Sequence, residues 1–156
     1  MSFTVKIKEE ISNIKSTKSE IIAELSGYIR NNGIFQDNKV TLNTENKFLV
    51  DRISNFIQVI TDINPQVEII ENLNFSKKEL YQITIENNLD KMLKELGIYN
   101  EKNEYLPVVP TYIVGANEEI RAYLRGVFFA SGSINDPKTS RYHLEILVTE
   151  PEEAVF

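Results

Sequence analysis

The sequence predicts an α+β fold of duplicated αββαββα units related by pseudo-two-fold symmetry, with the second unit truncated. The main observation is an internal repeat, in which the segment 20–33 returns as the segment 119–132. The identical pairs are Glu20/Glu119, Ile21/Ile120, Ala23/Ala122, Leu25/Leu124, Gly27/Gly126 and Gly33/Gly132. A second, shorter match joins 42–45 with 147–150. A repeat this long indicates a duplicated half-domain and not a solenoid unit, so we expect pseudo-symmetry.

The first predicted elements are two helices. Ser2 can cap a helix over residues 3–14, in which isoleucines recur at helical spacing. These isoleucines are Ile7, Ile11 and Ile14. The polar segment 16–19 supplies the cap of a second helix over 19–31, which is also apolar at helical spacing. We expect Gly33 to end this helix as a C-terminal cap.

Two hairpins and two further helices complete the first predicted unit. The strands are expected over 34–36, 40–43, 67–73 and 80–86, and the helices over 45–60 and 89–96. Asp37 and Asn38 form the turn of the first hairpin, because both residue types tolerate left-handed backbone. Ile83 and Ile85 alternate with polar residues, which is typical of a strand with one buried face. Gly97 is expected to stop the last helix.

The second unit is predicted to begin after a segment rich in proline and without periodicity. It opens with a helix over 118–130 capped by Asn117, followed by a hairpin around 135–138 and a returning strand over 142–149. The expected organisation is an N-terminal helix (1–17), a first repeat (18–98), a linker (99–116) and the start of a second repeat (117–156). By comparison with the first repeat, we expect the chain to end inside the second.

Composition narrows the classes of function. The chain has 156 residues, no cysteine, one histidine and a net charge of −6. The absence of cysteine excludes disulfides, thiolate zinc sites and a Cys/His catalytic pair, and we expect neither a metal nor another cofactor. No run of 18 apolar residues occurs, so we expect no membrane partner and a cytoplasmic protein. A negative surface repels the DNA backbone unless basic residues are concentrated locally.

The repeated helix carries a small residue four positions before a glycine in each copy. These residues are Ala23 and Gly27 in the first copy and Ala122 and Gly126 in the second. A glycine inside a helix costs roughly 1 kcal/mol relative to alanine, so a compensating contact is expected. Small residues on one helix face let a second backbone approach closely, and the natural partner of each helix is the other.

The pattern Leu-x-Gly, followed by two apolar residues and a further glycine, is duplicated and resembles the LAGLIDADG homing-endonuclease scaffold. The resemblance implies that the two motif helices pack along the pseudo-dyad and that two sheets form a saddle over DNA. It also implies an acidic residue just before each last glycine, where paired carboxylates hold divalent metal ions. Here those positions are Asn32 and Ser131, neither of which is a carboxylate. We therefore expect a nuclease-like scaffold that is not an enzyme.

The segment from Arg121 to Glu145, together with the first residues of the chain, resembles the WhiA family more specifically. The resemblance implies a bacterial transcription regulator tied to sporulation, cell division and chromosome segregation. It implies a degenerate LAGLIDADG domain, represented here, and a C-terminal helix-turn-helix domain beyond Phe156. Such a protein would be cytoplasmic and associated with the nucleoid, and DNA would be bound mainly by the domain that is absent here.

Few residues of this chain are candidates for contact with DNA or with a protein partner. Arg30, Arg121 and Arg125 lie on the repeated helices, where the alternative role is a solvated helix surface. In the scaffold analogy DNA meets the solvent face of the strands, which presents carboxylates at Glu68 and Glu86. Carboxylates on that face would repel phosphate groups.

Two alternative functions remain open from the sequence. The first is a protein-interaction or small-ligand module that reuses the endonuclease saddle, which the acidic composition favours. The second is a metal-dependent nuclease that uses Asp37 and Asp136, the nearest acidic residues, although turn formation explains both of them.

Overall fold

The computed structural model describes residues 2–70, 79–134, 138 and 143–147. Its helices are α1 (Phe3–Ile11), α2 (Lys18–Asn32), α3 (Lys47–Thr61), α4 (Leu89–Glu95) and α5 (Asn117–Ser131). Its strands are β1 (Ile34–Gln36), β2 (Lys39–Thr44), β3 (Gln66–Ile70), β4 (Leu80–Ile85), β5 (Gly132–Ile134) and β6 (Leu144–Ile146). None of these helices is both long and apolar enough to pass through a lipid bilayer.

The elements from α2 to α4 have the predicted αββαββα order, and the mixed α+β architecture is confirmed. The first unit forms a four-stranded antiparallel sheet with the strand order β1-β2-β4-β3. In the described part of the second unit, α5 leads into the antiparallel pair β5–β6. Asp37 and Asn38 have φ angles of 53° and 60° and close the β1–β2 hairpin, as their tolerance of left-handed backbone predicts.

The main hydrophobic core lies between one face of the four-stranded sheet and helices α2, α3 and α4. The sheet contributes Val40, Leu42, Ile83 and Ile85, which alternate with polar residues along β2 and β4. A second, smaller core lies against α5, where Val109 and Ile113 pack on Ala122, Tyr123 and Val127. The segment 99–116 is therefore a packed cover of α5 and not an extended tether.

Helices α2 and α5 cross with their backbones in close contact. A Cβ atom on Gly27 would overlap the carbonyl oxygen of Tyr123, and a Cβ atom on Gly126 would overlap the carbonyl oxygen of Glu24. Residues 24 and 123 are equivalent in the repeat, as are the two glycines, so this contact is reciprocal. Any side chain at either glycine would separate the helices, which explains why glycine is present despite its low helix propensity.

The two helices also begin in the same way. The Glu20 carboxylate accepts the backbone N–H of Thr17 at 3.1 Å, and the Glu119 carboxylate accepts the backbone N–H of Ala116 at 2.8 Å. Each glutamate satisfies a donor that the first helical turn leaves free, and its negative charge lies at the positive end of the helix. These glutamates are one of the identical pairs, so the repeat preserves the start of the helix as well as its packing face.

Two local predictions were wrong. Asn117 is the first helical residue of α5 and not its cap, because Glu119 binds the preceding N–H group. Ile14 lies beyond α1 and is 44% exposed, so α1 has a shorter apolar stripe than expected. The prediction that Gly33 ends α2 is confirmed, since Gly33 is its C-terminal cap, in extended backbone with a φ of −68°. Glycine is required there because a Cβ atom would lie 2.6 Å from the carbonyl oxygen of Ile29.

Some predicted features lie outside the described residues. They are the end of the strand predicted over 67–73, most of the hairpin turn at 135–138, parts of the strand predicted over 142–149, and the following segment.

The reciprocal contact predicts that Gly126→Ala destabilises the fold. A methyl group would be forced against the Glu24 carbonyl oxygen, so we expect a net loss of about 1–3 kcal/mol despite the better helix propensity of alanine. Urea denaturation followed by circular dichroism measures the loss. Gly115→Ala is the control, because Gly115 is exposed and its nearest neighbouring atom would be 3.3 Å away. Equal stability of the two variants would show that the helices do not depend on this close approach.

Candidate functional site

The position equivalent to a metal-binding carboxylate in the first repeat is occupied by Asn32, at the end of α2. Its side-chain amide donates to the backbone carbonyl of Asn43 at 3.3 Å and accepts the Asn43 N–H at 3.2 Å. Extending the β1–β2 register by two residues would place position 32 opposite position 43. Position 32 is still helical, so the Asn32 side chain takes the place of a strand backbone. An ionised aspartate could accept but not donate there.

Ser131, the equivalent position in the second repeat, makes different hydrogen bonds. Its hydroxyl donates to the carbonyl oxygen of Val127 at 3.4 Å, and its own carbonyl accepts the N–H of Leu147 at 3.3 Å. Here the main chain, and not a side chain, extends the pairing of β5 with β6. Residues 32 and 131 therefore both hold the end of a repeated helix on the hairpin that follows it.

No group of three or more Asp, Glu, His or Cys side chains able to hold a metal ion occurs among residues 2–70, 79–134, 138 and 143–147. Asp37 lies in the exposed β1–β2 turn, and Asp136 lies outside the described residues.

A buried ionic cluster lies where α2, α3 and α5 meet. Glu24 on α2 is fully buried, and its carboxylate accepts two hydrogen bonds from Arg52 on α3, at 2.7 Å and 2.9 Å. Arg125 on α5 donates to the same carboxylate at 2.5 Å. The Arg52 guanidinium also lies 4.6 Å from the ring centre of Phe56. One carboxylate therefore joins both repeats through two cations.

Arg52 extends this cluster to the segment between α1 and α2. It donates to the carbonyl oxygens of Ser12 and Ile14, each at 2.8 Å, and to the hydroxyl of Ser16 at 3.4 Å. Arg125 donates to the same hydroxyl at 3.2 Å. The cluster thus fixes the connecting segment as well as the three helices.

The three arginines proposed from the sequence as contacts to DNA or a partner lie in different environments. Arg30 is 8% exposed and donates to the carbonyl oxygens of Leu106 and Gly97, at 2.7 Å and 2.8 Å. It therefore holds the segment 99–116 on α2. Arg125 belongs to the buried cluster. Arg121 is exposed, and only this arginine presents its guanidinium to solvent.

Sequence reasoning missed the buried cluster, although one signal for it existed. Helix α2 is buried over nearly its whole circumference between the sheet and α5, and a glutamate is almost never fully buried without a partner. Glu24 is equivalent to Tyr123, which makes it one of several positions where the two copies differ in charge. Which arginines pair with Glu24 depends on long-range packing.

The face of the sheet opposite the core is mostly polar and contains few charges. We call it the polar face, and its polar residues are Gln36, Lys39, Thr41, Asn43, Gln66, Glu68, Gln82, Thr84 and Glu86. Ile34, Ile70 and Leu80 lie on the same face. Lys39 is its sole cation in the described part of the chain and pairs with Glu86 at 3.5 Å. Gln82 donates to the side-chain oxygen of Asn43 at 3.2 Å, which links this face to Asn32. Amides and hydroxyls dominate, and the net charge is negative.

Helix α1 contacts the end of α5 through Lys8. Its ammonium group lies 3.5 Å from the carbonyl oxygen of Phe129 and 5.4 Å from the ring centre of Phe128. Burial lowers the pKa of Lys8 from its ordinary value. Thr4 adds a second link, because its hydroxyl donates to and accepts from the backbone of Ile134, each at 3.0 Å.

Known protein families match both repeats. Residues 18–99 match the WhiA N-terminal LAGLIDADG-like domain, and residues 120–155 match the WhiA LAGLIDADG-like domain. Two relatives, each named probable cell division protein WhiA, come from Lactiplantibacillus plantarum and Pediococcus pentosaceus. Each is 33% identical over 150 residues, which is 94% of this chain and 48% of the relative. The chain thus spans about half the length of the curated relatives it matches.

Solved structures agree with these matches. The crystal structure of the N-terminal LAGLIDADG domain of DUF199/WhiA is 26% identical, with a TM-score of 0.67 over 97% of this chain and 68% of that chain. The full-length DUF199/WhiA from Thermatoga maritima is 25% identical, with a TM-score of 0.64 over 97% of this chain and 46% of that chain.

The ionic cluster predicts a large effect of Glu24→Gln. The substitution keeps the size of the side chain but leaves two buried guanidinium groups without a counter-charge, so we expect a loss of about 3–5 kcal/mol. Urea denaturation provides the measurement, with Glu118→Gln on the exposed start of α5 as the matched control. A loss no greater than that of the control would mean that the cluster contributes nothing to stability.

The role of Asn32 predicts that restoring the acidic residue harms the fold. Asn32→Asp removes the hydrogen bond to the Asn43 carbonyl and places a charge beside that oxygen, so we expect a loss of about 1–2 kcal/mol at pH 7. A protonated aspartate can donate, so the loss should shrink towards pH 4. Denaturation at both pH values, with exposed Asn64→Asp as the control, measures this difference. An unchanged or raised stability at pH 7 would contradict the structural role.

Proposed function

Because the chain belongs to the WhiA family, we propose that it forms the non-catalytic N-terminal scaffold domain of a bacterial DNA-binding transcription regulator. The regulator acts in cell division, sporulation and chromosome segregation. It is cytoplasmic and associated with the nucleoid. The names of the relatives, each a probable cell division protein, support the first of these processes.

The observation that carries the proposal is that Asn32 and Ser131 stand at the two positions where the LAGLIDADG scaffold has metal-binding carboxylates. Asn32 and Ser131 both bind the backbone of their own repeat, while the close packing of α2 against α5 is intact. Divalent metal ions require anionic oxygen ligands, and neither side chain supplies one. The scaffold has therefore kept the part of the LAGLIDADG architecture that organises two repeats and replaced the part that cleaves DNA.

The main contact with DNA is assigned to a helix-turn-helix domain elsewhere in the protein. The polar face has one cation, which is paired with Glu86, and it also carries the carboxylate of Glu68. Affinity for DNA depends on Lys and Arg groups that neutralise phosphates, and this face has a net negative charge. Arg30 and Arg125 are engaged inside the domain, which leaves Arg121 as the exposed arginine of the motif helices.

A second candidate function is a protein-interaction or small-ligand module that uses the polar face. This alternative is favoured by the row of amide and hydroxyl side chains at Asn43, Gln82 and Thr84, which can donate and accept hydrogen bonds. Such a surface suits a polar peptide segment better than a phosphate backbone.

DNA binding by separate parts of the protein tests the proposal. Fluorescence anisotropy with duplex DNA would compare the full-length protein, the protein without residues 1–156, and this chain alone. We expect the first two to bind and this chain alone to bind at least 100-fold more weakly at 150 mM salt. Binding by this chain as tight as that of the full-length protein would overturn the assignment. Unchanged binding after removal of residues 1–156 would favour the interaction module.

A nicking assay tests the absence of catalysis. We expect supercoiled plasmid incubated with the full-length protein and Mg²⁺ or Mn²⁺ to remain intact. Nicking that disappears in the Asp37→Asn or Asp136→Asn variant would instead establish a nuclease that uses displaced acidic residues.

A further inference from the structure

The segment between α1 and α2 places a serine hydroxyl between two guanidinium groups. Ser16 Oγ lies 3.4 Å from Nη2 of Arg52 and 3.2 Å from Nη2 of Arg125. The two arginines come from different repeats and are almost completely buried, with 6% and 11% of their side chains exposed. A neutral hydroxyl therefore occupies a position where two positive charges converge.

Two guanidinium groups bind one buried carboxylate, that of Glu24. The Glu20 carboxylate, which is bonded to Thr17, is a second anion near Arg125. Arg52 uses all five of its N–H donors, on Glu24, Ser12, Ile14 and Ser16. Arg125 uses Nε and one Nη2 donor, and in the described residues its Nη1 group has no acceptor. The Nη2 groups of both arginines therefore meet at the Ser16 hydroxyl, beside the Nη1 group of Arg125.

The surroundings of Ser16 leave space for a larger group. Ser16 and Arg52 line an open groove between the connecting segment and α3. Asp51 also lines this groove, but Lys47 pairs with it at 2.5 Å. Residues 13–15 and 17–18 are exposed, so the segment is accessible, and Lys15 and Lys18 add positive charge on both sides.

We propose that Ser16 is a phosphorylation site whose phosphate binds Arg52 and Arg125. A serine/threonine protein kinase would transfer the γ-phosphoryl group of a nucleoside triphosphate to Ser16 Oγ. The new O–P bond forms as the bond to the β-phosphate oxygen breaks, the nucleoside diphosphate leaves, and the hydroxyl proton passes to the kinase. The product carries a charge of about −1.5 to −2 at pH 7 and three strong acceptor oxygens.

The modification would strengthen the connection between the repeats. The phosphate oxygens can accept from the free Nη1 group of Arg125 while the Ser16 oxygen keeps its position beside Arg52. Helix α5 of the second repeat and helix α3 of the first repeat would then share a dianion in addition to Glu24. Phosphorylation would in this way regulate how firmly the scaffold holds its two halves together.

Neighbouring hydroxyls lack this arrangement. Thr17 donates to the Glu20 carboxylate at 2.7 Å, so a phosphate there would face a negative charge. Ser19 is exposed, and its hydroxyl lies 3.4 Å from that of Thr17. Ser19 is therefore a suitable control, because it lies nearby on the exposed first turn of α2 and contacts neither arginine.

Thermal unfolding of the full chain with phosphoserine encoded at position 16 or at position 19 tests the proposal. We expect phosphoserine at position 16 to raise Tm by about 3–6 °C relative to the unmodified chain. Phosphoserine at position 19 gains only the favourable effect of an anion at the start of α2, so its rise in Tm should be smaller and should not depend on Arg125. The gain from position 16 should disappear in Arg125→Gln, which retains the Glu24–Arg52 pair and so remains folded. An equal or lower Tm for the position 16 form would overturn the proposal.

Phosphorus NMR supplies a readout that a general stabilising effect would not change. Two nearby guanidinium groups should lower the second pKa of the phosphate at position 16 below that at position 19, and Arg125→Gln should reduce this difference. Equal pKa values at the two positions would mean that the arginines do not bind the phosphate. Inorganic phosphate is the control for a free anion. If it raised the Tm of the Ser16→Ala chain as much as phosphoserine at position 16 raises that of the chain, the arginines would form a site for a free anion, and covalent modification would be overturned.

Mass spectrometry of the protein from its own cells tests whether the modification occurs. We expect a phosphopeptide that includes Ser16 at some stage of growth and division. Its absence at every stage, with good coverage of the unmodified peptide, would overturn the proposal.

Discussion

The structure depends on the contact between the backbones of α2 and α5. Gly27 of α2 lies against the carbonyl group of Tyr123, and Gly126 of α5 lies against the carbonyl group of Glu24. Because the two contacts are equivalent, a shift of either helix would disrupt both of them. Because the backbones are this close, side chains flanking the crossing reach well into the other repeat. Arg125 can therefore reach Glu24, and the smaller core around Tyr123 can pack across the contact between α2 and α5. The close approach is thus the condition for both the ionic cluster and the second core.

The backbone contact between α2 and α5 follows the pseudo-symmetry of the repeat, whereas the charged side chains around it do not. Position 24 carries a carboxylate, whereas its equivalent position 123 carries a tyrosine buried in the smaller core. Position 125 carries an arginine, whereas its equivalent, Ser26, is a small buried serine. The packing face that the two helices share therefore holds the repeats together. The positions at which the copies differ supply a single ionic cluster on one side of the α2–α5 contact. A symmetrical pair of such clusters would bury twice the charge at a large cost in desolvation.

The features that sequence could predict are those determined by neighbouring residues. The helical spacing around Gly27, the two-residue turn at Asp37 and the alternation along β4 each specify a local structure, and the internal repeat adds the pairing of the two motif helices. Hydrogen-bond partners that are distant in the sequence could not be predicted from it. Nothing near Arg30 in sequence indicates that its acceptors are the carbonyls of Gly97 and Leu106, and the arginine pattern alone fits a surface role equally well.

Asn32 and Ser131 lie where each repeated helix passes into the strand that follows it. A motif helix must pass directly into a strand, and at that junction the neighbouring strand has backbone groups that require partners. The Asn32 amide satisfies both groups of Asn43, whereas the second repeat uses the Ser131 carbonyl and turns the hydroxyl back onto its own helix. A carboxylate at position 32 could serve one of these groups only, so a metal ligand and a complete junction compete for the same side chain. The second repeat has no such competition, because its junction uses the backbone of Ser131 and not the side chain.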